Sequence, residues 1–402
     1  MGIRYLRSPL FVVLLTIVID RLGESLIFPI LPFLVEQFHF DALTLTLLFS
    51  SFAGAQFIAA PLLGALSDHW GRRPVLLVCI AGTAVSYFLF AAATTPWLLF
   101  VSRIIDGITG GVVSTAQAYI ADTSAPADRA KNFGLTGAAF GIGFIFGPAI
   151  GGSLAAVNLK LPILFAGSLA LINVVMAYFI LPESLPAAQR SPFSLKNFGV
   201  QQQWLELFKT RSLQSLMASF FIFNFAFAGF TSIFVLFLKR QFNWGPAEAG
   251  IVFVIIGVVS TVVQAGLIRS LIPRFGENRL SVAGMALIGT ALLGIAAIPA
   301  TGAWSATSIY LCVVGLAFGV GIMLPSLRGV ISNHVRDEDQ GKIIGASQSL
   351  QSIAGIAGPA WAGWVFDRWG GQAPAFQSGL IMAIAFIFLI LGLRKPTYRP
   401  SA

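Results

Sequence analysis

Asp20, Arg21 and Glu24 fall within five positions of the stretch VIDRLGESLIF, and Arg103 and Asp106 within four of RIIDGITGG, each in almost wholly apolar surroundings. Asp20 and Glu24 are four apart and share a helical face, while Arg21 is rotated away but stands three from Glu24. A charge inside a lipid-spanning segment costs at least about 2.5–3.5 kcal/mol, so such residues face a cavity or one another. A carboxylate opposed by a guanidinium can exchange protons, because dry surroundings favour the neutral acid and a nearby cation the ionised one. Moving Arg103 nearer to Asp20 or further from it would change that proton affinity, and a cationic or amphiphilic solute could compete for the same carboxylate. The plain alternative is an ion network that fixes helix packing, with Arg21 as its counter-ion. Burial of ion pairs is a poor route to stability, and three acids against two arginines leave one acid over, which favours proton coupling through Asp20, Glu24, Arg103 and Asp106.

The elements that carry these charges are set by composition. The 402 residues are 56% hydrophobic and 10% charged, with 36 Phe and a mean hydropathy of +0.84, against roughly 25% charged residues in a soluble domain. Twelve apolar runs are long enough to cross a hydrocarbon core of about 30 Å, at 9–34, 43–66, 74–95, 97–120, 132–156, 161–181, 213–237, 246–271, 280–299, 304–330, 342–365 and 372–393. In lipid the backbone must satisfy itself, so these runs are predicted to be helices and the protein an all-α membrane protein. A rise of about 1.5 Å per residue puts Asp20 about 17 Å and Glu24 about 22 Å from the face where span one begins. Span four runs the other way and puts Arg103 about 21 Å and Asp106 about 16 Å from that face. The levels match across one cavity.

The net charge of +9 follows membrane sidedness, and no nucleic-acid partner is expected. With the N-terminus in the cytoplasm, cytoplasmic loops and ends hold Arg4, Arg7, Arg72, Arg73, Arg129, Lys131, Arg190, Lys196, Lys209, Arg211, Arg269, Arg274, Arg279, Arg328, Arg336, Lys342, Arg394, Lys395 and Arg399, nineteen of the 25 basic residues. The positive-inside rule then places both termini in the cytoplasm, and a plasma (inner) membrane is the expected location. Cys79 and Cys312 stand in apolar spans as packing residues, and His39, His69 and His334 fall in loops. No metal-ligand spacing, phosphate-binding loop or nucleophile beside a His is found, so neither a metal, a cofactor nor an enzyme activity is expected. Nothing resembles a channel filter.

The longest polar interval, residues 182–211, divides the chain into six-span halves at 1–181 and 212–402. An offset of 211 lays DRAKNFG at 128–134 over DQGKIIG at 339–345 and Gly147-Pro148 over Gly358-Pro359. Two parallel repeats of six spans predict a substrate cavity near the bilayer midplane, between the halves. Mid-span polar residues that could line it are Gln56, Gln117, Asn224, Gln264, Gln348 and Gln351, of which Gln348 and Gln351 could share a helical face. Each could equally serve as an interhelical hydrogen-bonding residue.

The loop GALSDHWGRRPVLL resembles the signature loop of the major facilitator superfamily, with Gly64, Asp68, Gly71, Arg72 and Arg73 at its spacing. The resemblance implies the major facilitator fold, twelve transmembrane helices in two pseudo-symmetric halves, with Asp68 and Arg72 latching the halves at the cytoplasmic face. The echo PRFGENR at 273–279 lacks the acid. Arg103 with Gly107 and Gly111 is similar to the span-four motif of the superfamily's proton-coupled branches. GAAFGIGFIFGPAIGG, with Gly141, Gly147, Pro148, Gly151 and Gly152, resembles its antiporter motif, which marks exporters.

Over essentially the whole chain the sequence is similar to the tetracycline-efflux group of drug:proton antiporters, with Asp20 in the place of its essential acid. Spans three and nine lack that group's acids, Ser86 standing at or near the span-three place, and span eight lacks its histidine. The resemblance therefore carries proton antiport further than drug identity. The expectation is a monomeric, multi-pass secondary transporter exporting a small amphiphilic or drug-like compound in exchange for protons. The rival is a proton-coupled or facilitative transporter of a sugar, siderophore or metabolite.

Overall fold

The computed structural model describes residues 9–125, 127–193, 211–302, 304–335 and 339–394. Arg4, Arg7, Lys196, Lys209, Arg336, Lys395 and Arg399, with most of the interval 182–211, lie outside the described residues.

Among the described residues there are twelve long helical rods and no strand. They are α1 (Pro9–Ile27), α2 (Ala42–Trp70), α3 (Arg72–Ala91), α4 (Pro96–Thr123), α5 (Arg129–Val157), α6 (Leu161–Ile180), α7 (Arg211–Phe242), α8 (Pro246–Phe275), α9 (Glu277–Ala297), α10 (Ser305–Ser332), α11 (Gln340–Trp369) and α12 (Ala373–Leu393). Ten are long and apolar enough to cross a membrane. The other two are α1, with its three charges, and α11, with the polar run ASQSLQS.

Two rods depart from the even spans expected. The first was predicted to run to residue 34 but ends at Ile27, and the chain turns before a short helix at Leu31–Leu34. Pro29 has no amide to donate and disfavours a helical Phe28. The fourth is broken at Thr109–Gly111, between Pro96–Ile108 and Val112–Thr123. Successive glycines there weaken the helix and let α2 come close, since a methyl group on Gly110 would stand 2.7 Å from Gln56 Nε2.

Two compact units are formed, one from Met1–Phe40, Ser51–Phe198 and Gly245–Val254, the other from Asp41–Ser50, Gly199–Trp244 and Ile255–Ala402. Relative to six-span halves, the start of α2 and the start of α8 are exchanged. The first unit packs Val12, Val13, Ile17, Leu76, Cys79, Tyr119 and Ala177 into its core. A cluster in the second is built on Val263, Ile268, Leu280 and Ile322.

The repeat read at offset 211 has a packing counterpart. The first and fifth rods of each half pair, α1 with α5 and α7 with α11, as do the third and sixth, α3 with α6 and α9 with α12. Gly147 lies against α1, where a methyl group would come within 2.7 Å of the Leu22 carbonyl, and its counterpart Gly358 lies against α7, 3.1 Å from the Gly229 amide by the same measure. Small residues allow the backbones this approach.

Candidate functional site

Within the first unit, α1 presents Asp20, Arg21 and Glu24 as one ionic group. Arg21 Nη2 is 2.5 Å from Asp20 Oδ2, Arg21 Nε donates to the same oxygen at 3.0 Å, and Arg21 Nη1 pairs with Glu24. Sequence spacing left Arg21 as a counter-ion, and it is the cation paired to both acids. Arg103 pairs with Asp106 at 3.1 Å one turn further along α4, with both side chains more than nine-tenths buried. Its guanidinium carbon lies 5.0 Å from the Phe90 ring centre and 5.7 Å from that of Phe52, a cation–π setting.

The two pairs are not isolated from each other. Glu24 is within electrostatic reach of Asp106 and Arg103, and Asp106 of Asp20. Tyr87 of α3 is buried among them and lies against Gly23, where a methyl group would stand 2.6 Å from its hydroxyl oxygen. The Ser86 and Thr83 side chains lie beside the Asp106 carboxylate. Asp20, Thr83, Tyr87, Thr16 and Asn173 border a void of about 10 Å³, about what one water needs. Such a cluster of acids, guanidinium groups and hydroxyls can hold and pass a proton.

The loop between α2 and α3 forms a second ionic group. Arg72 Nη1 donates to Asp68 Oδ1 at 2.5 Å and to Ser67 Oγ at 3.1 Å, and its Nε to Asp122 Oδ2 at 2.9 Å. Arg73 Nη2 donates to the Tyr178 carbonyl at 2.7 Å. Gly71 has φ 109°, a conformation favouring glycine, and any Cβ there would run into Glu183. Glu183 in turn accepts from the backbone amides of Arg72, Arg73, Ser184 and Leu185. Gly64 has open space about it.

The helix α5 seats its glycines against neighbours. A methyl group on Gly151 would come within 2.7 Å of the Leu26 carbonyl, and one on Gly152 within 2.7 Å of the Pro246 carbonyl; Pro148 lies inside the helix and Gly141 is half-buried.

The family model of the Major Facilitator Superfamily matches residues 13–359 and 309–402. The chain belongs to this superfamily. It is therefore a membrane-embedded transporter of small molecules, not an enzyme. Among its relatives, this facilitator is 35% identical to the class C tetracycline resistance protein of Escherichia coli, over 91% of this chain and 92% of that one. It is similar in structure to the human organic anion transporter MFSD10 (TETRAN), with a TM-score of 0.70 and 26% identity over 96% of this chain and 99% of that one. A bacterial homologue of the lysosomal transporter Spinster, inward-facing and occupied, shares the fold with a TM-score of 0.79 and 14% identity over 98% of both chains.

The polar residues proposed for the facilitator's cavity separate into groups. Gln348 and Gln351 of α11 line one cavity in the second unit, together with Phe220 and Arg328. Gln56 donates to the Gly110 carbonyl at 3.2 Å, tying α2 to the break in α4. Asn224 donates to the Phe220 carbonyl of its own helix at 2.7 Å and is not among the described residues that line the Gln348 cavity. Gln264 is exposed in a π-helical turn at Val263–Leu267, and Gln117 is half-buried on the second segment of α4, Val112–Thr123.

Sequence reasoning missed Tyr87, Asp122 and Glu183, and counted Arg328 only as an end charge. Glu183 had a faint signal, as the sole acid directly after span six. Among the described residues no group of three or more His, Cys, Asp or Glu side chains could hold a metal.

Proposed function

We propose that the chain is a proton-coupled antiporter that exports small amphiphilic or drug-like compounds by alternating access. The observation that carries the reading is the clustered group Asp20, Arg21, Glu24, Arg103 and Asp106, of which Arg103 and Asp106 are buried, with Tyr87 among them. Its likeness to a tetracycline resistance protein supports drug export. Asp20 is the coupling carboxylate, Arg103 and Asp106 respond to its charge, and Glu24 shares Arg21 with it.

In this reading the bodies that rock are the six-span halves 1–181 and 212–402, joined by 182–211. Asp68, Arg72 and Arg73, with Gly64 and Gly71, form the latch, and Gly141, Gly147, Pro148, Gly151 and Gly152 keep α5 closely packed as exporters of the family do. The transporter works as a monomer in the plasma (inner) membrane with both termini cytoplasmic.

The test uses liposomes holding the purified protein and an internal pH dye, with a panel of amphiphilic compounds added to wild type and to Asp20→Asn. Compound-triggered proton movement in wild type that is lost in the variant is the expected result. Equal proton movement in both proteins would remove Asp20 from the coupling.

A further inference from the structure

In the second unit a cavity of about 480 Å³ is bounded by α7, α10 and α11, a volume typical of small-molecule sites. Its walls are apolar at Phe220, Ile343 and Ile344 and amide-bearing at Gln348 and Gln351, and Arg328 is the only charged residue among the described ones that line it. The positive-inside count treats Arg328 as a charge at a helix end, yet it lies within α10 and lines this cavity.

The Arg328 guanidinium takes no ion pair or hydrogen bond with any described residue. Among the described residues, the neighbouring acids are engaged elsewhere. Glu277, whose carboxylate reaches the Gly329 position, accepts from Asn333 Nδ2 at 2.8 Å, and Asp339 pairs with Lys342 at 2.7 Å. Arg328 is exposed where it lines the cavity, so its guanidinium is open to an incoming anion. Its five donors form a planar fork that matches a carboxylate in two parallel hydrogen bonds.

We propose that this cavity binds an amphiphilic organic acid, its anionic group on Arg328, its apolar body against Phe220, Ile343 and Ile344, and its polar substituents on Gln348 and Gln351. This names the substrate class of the transport reading given above and rests on that reading. One guanidinium with no second cation among the described lining residues suits a monoanion such as a carboxylate rather than a phosphate dianion. A cationic amphiphile would be repelled, and a neutral one would leave the fork unfilled.

Three probes with one aromatic body separate the cases: 2-naphthylacetate, its neutral amide and 2-naphthylethylammonium, titrated calorimetrically into the full-length protein in lipid nanodiscs. Wild type is expected to bind the acid at least tenfold more tightly than the amide, and the ammonium most weakly. Arg328→Gln should bring the acid down to the amide's affinity, and Arg328→Lys should restore part of the preference, which a folding defect would not. Wild type binding the amide or ammonium as tightly as the acid, no binding of the acid, or a preference that survives in Arg328→Gln would each overturn the assignment. Liposome proton flux distinguishes the two readings. Coupled flux through Asp20 without any preference for acids removes the Arg328 site alone, whereas Arg328-dependent acid preference without coupled flux supports the site and removes the antiport.

Discussion

Arg72 Nε lies 2.9 Å from Asp122 Oδ2, which ties the start of α3 to the end of α4. Asp122 is partly exposed, and Arg72 keeps Asp68 when Asp122 is lost. Pairs of this kind contribute about 0–1 kcal/mol, so Asp122→Asn should move the thermal midpoint in detergent little. Glu183→Ala removes the acceptor of four backbone amides at the same corner and should cost about 2 kcal/mol, since unpaired amides lose their compensation. A Glu183→Ala midpoint no lower than that of Asp122→Asn would contradict this ranking.

Arg21 neutralises two acids on its own helix. Removing one partner of a mostly buried pair costs about 3–5 kcal/mol, so Arg21→Ala should fold poorly or unfold well below wild type. The double change Arg21→Ala with Glu24→Gln leaves one fewer stranded charge and should regain part of the loss. Unfolding curves for the two variants decide it, and coinciding curves would show that Arg21 acts through its packing on Phe140, 5.2 Å from its guanidinium carbon to the ring centre.

The glycines of α5 are not equivalent. Methyl groups on Gly147 and Gly151 would run into the Leu22 and Leu26 carbonyls, whereas methyl groups on Gly134 and Gly137 meet nothing within 4 Å. Overpacking costs about 1–3 kcal/mol, and Gly→Ala at an open helical site gains up to about 1 kcal/mol. Gly151→Ala should therefore lower the unfolding midpoint while Gly137→Ala leaves or raises it. A pair of variants that shift alike would mean that α5 does not pack on α1 in this way.

How much of this was legible in the sequence depends on contrast. Asp20, Glu24, Arg103 and Asp106 stand out because an apolar background makes each charge expensive, and Gly147-Pro148 over Gly358-Pro359 marks the repeat because each glycine meets a helix backbone. Asp122 and Glu183 stand at helix ends, where polar residues are ordinary and nothing in spacing says which loop they cap. Arg328 was read as an end charge because it stands only a turn from the end of its helix, so its cavity-lining placement depends on which way the side chain faces. The broken α4 was foreshadowed by GITGG, but a motif for packing and a motif for a break use the same glycines.

Tyr87 gives the sharpest test of how the clustered acids communicate. It borders the void beside Asp20, and it lies within electrostatic reach of Asp106 and Glu24. Tyr87→Phe keeps the ring and removes only the hydroxyl, so the packing against Gly23 persists. A hydroxyl that helps order a proton path is worth about 1 kcal/mol, or about fivefold in rate. Compound-triggered proton flux in liposomes should accordingly slow by about that factor with no change in the unfolding midpoint. Flux equal to wild type would assign Tyr87 to packing alone, and the proton would then pass between Asp20 and Asp106 without its hydroxyl.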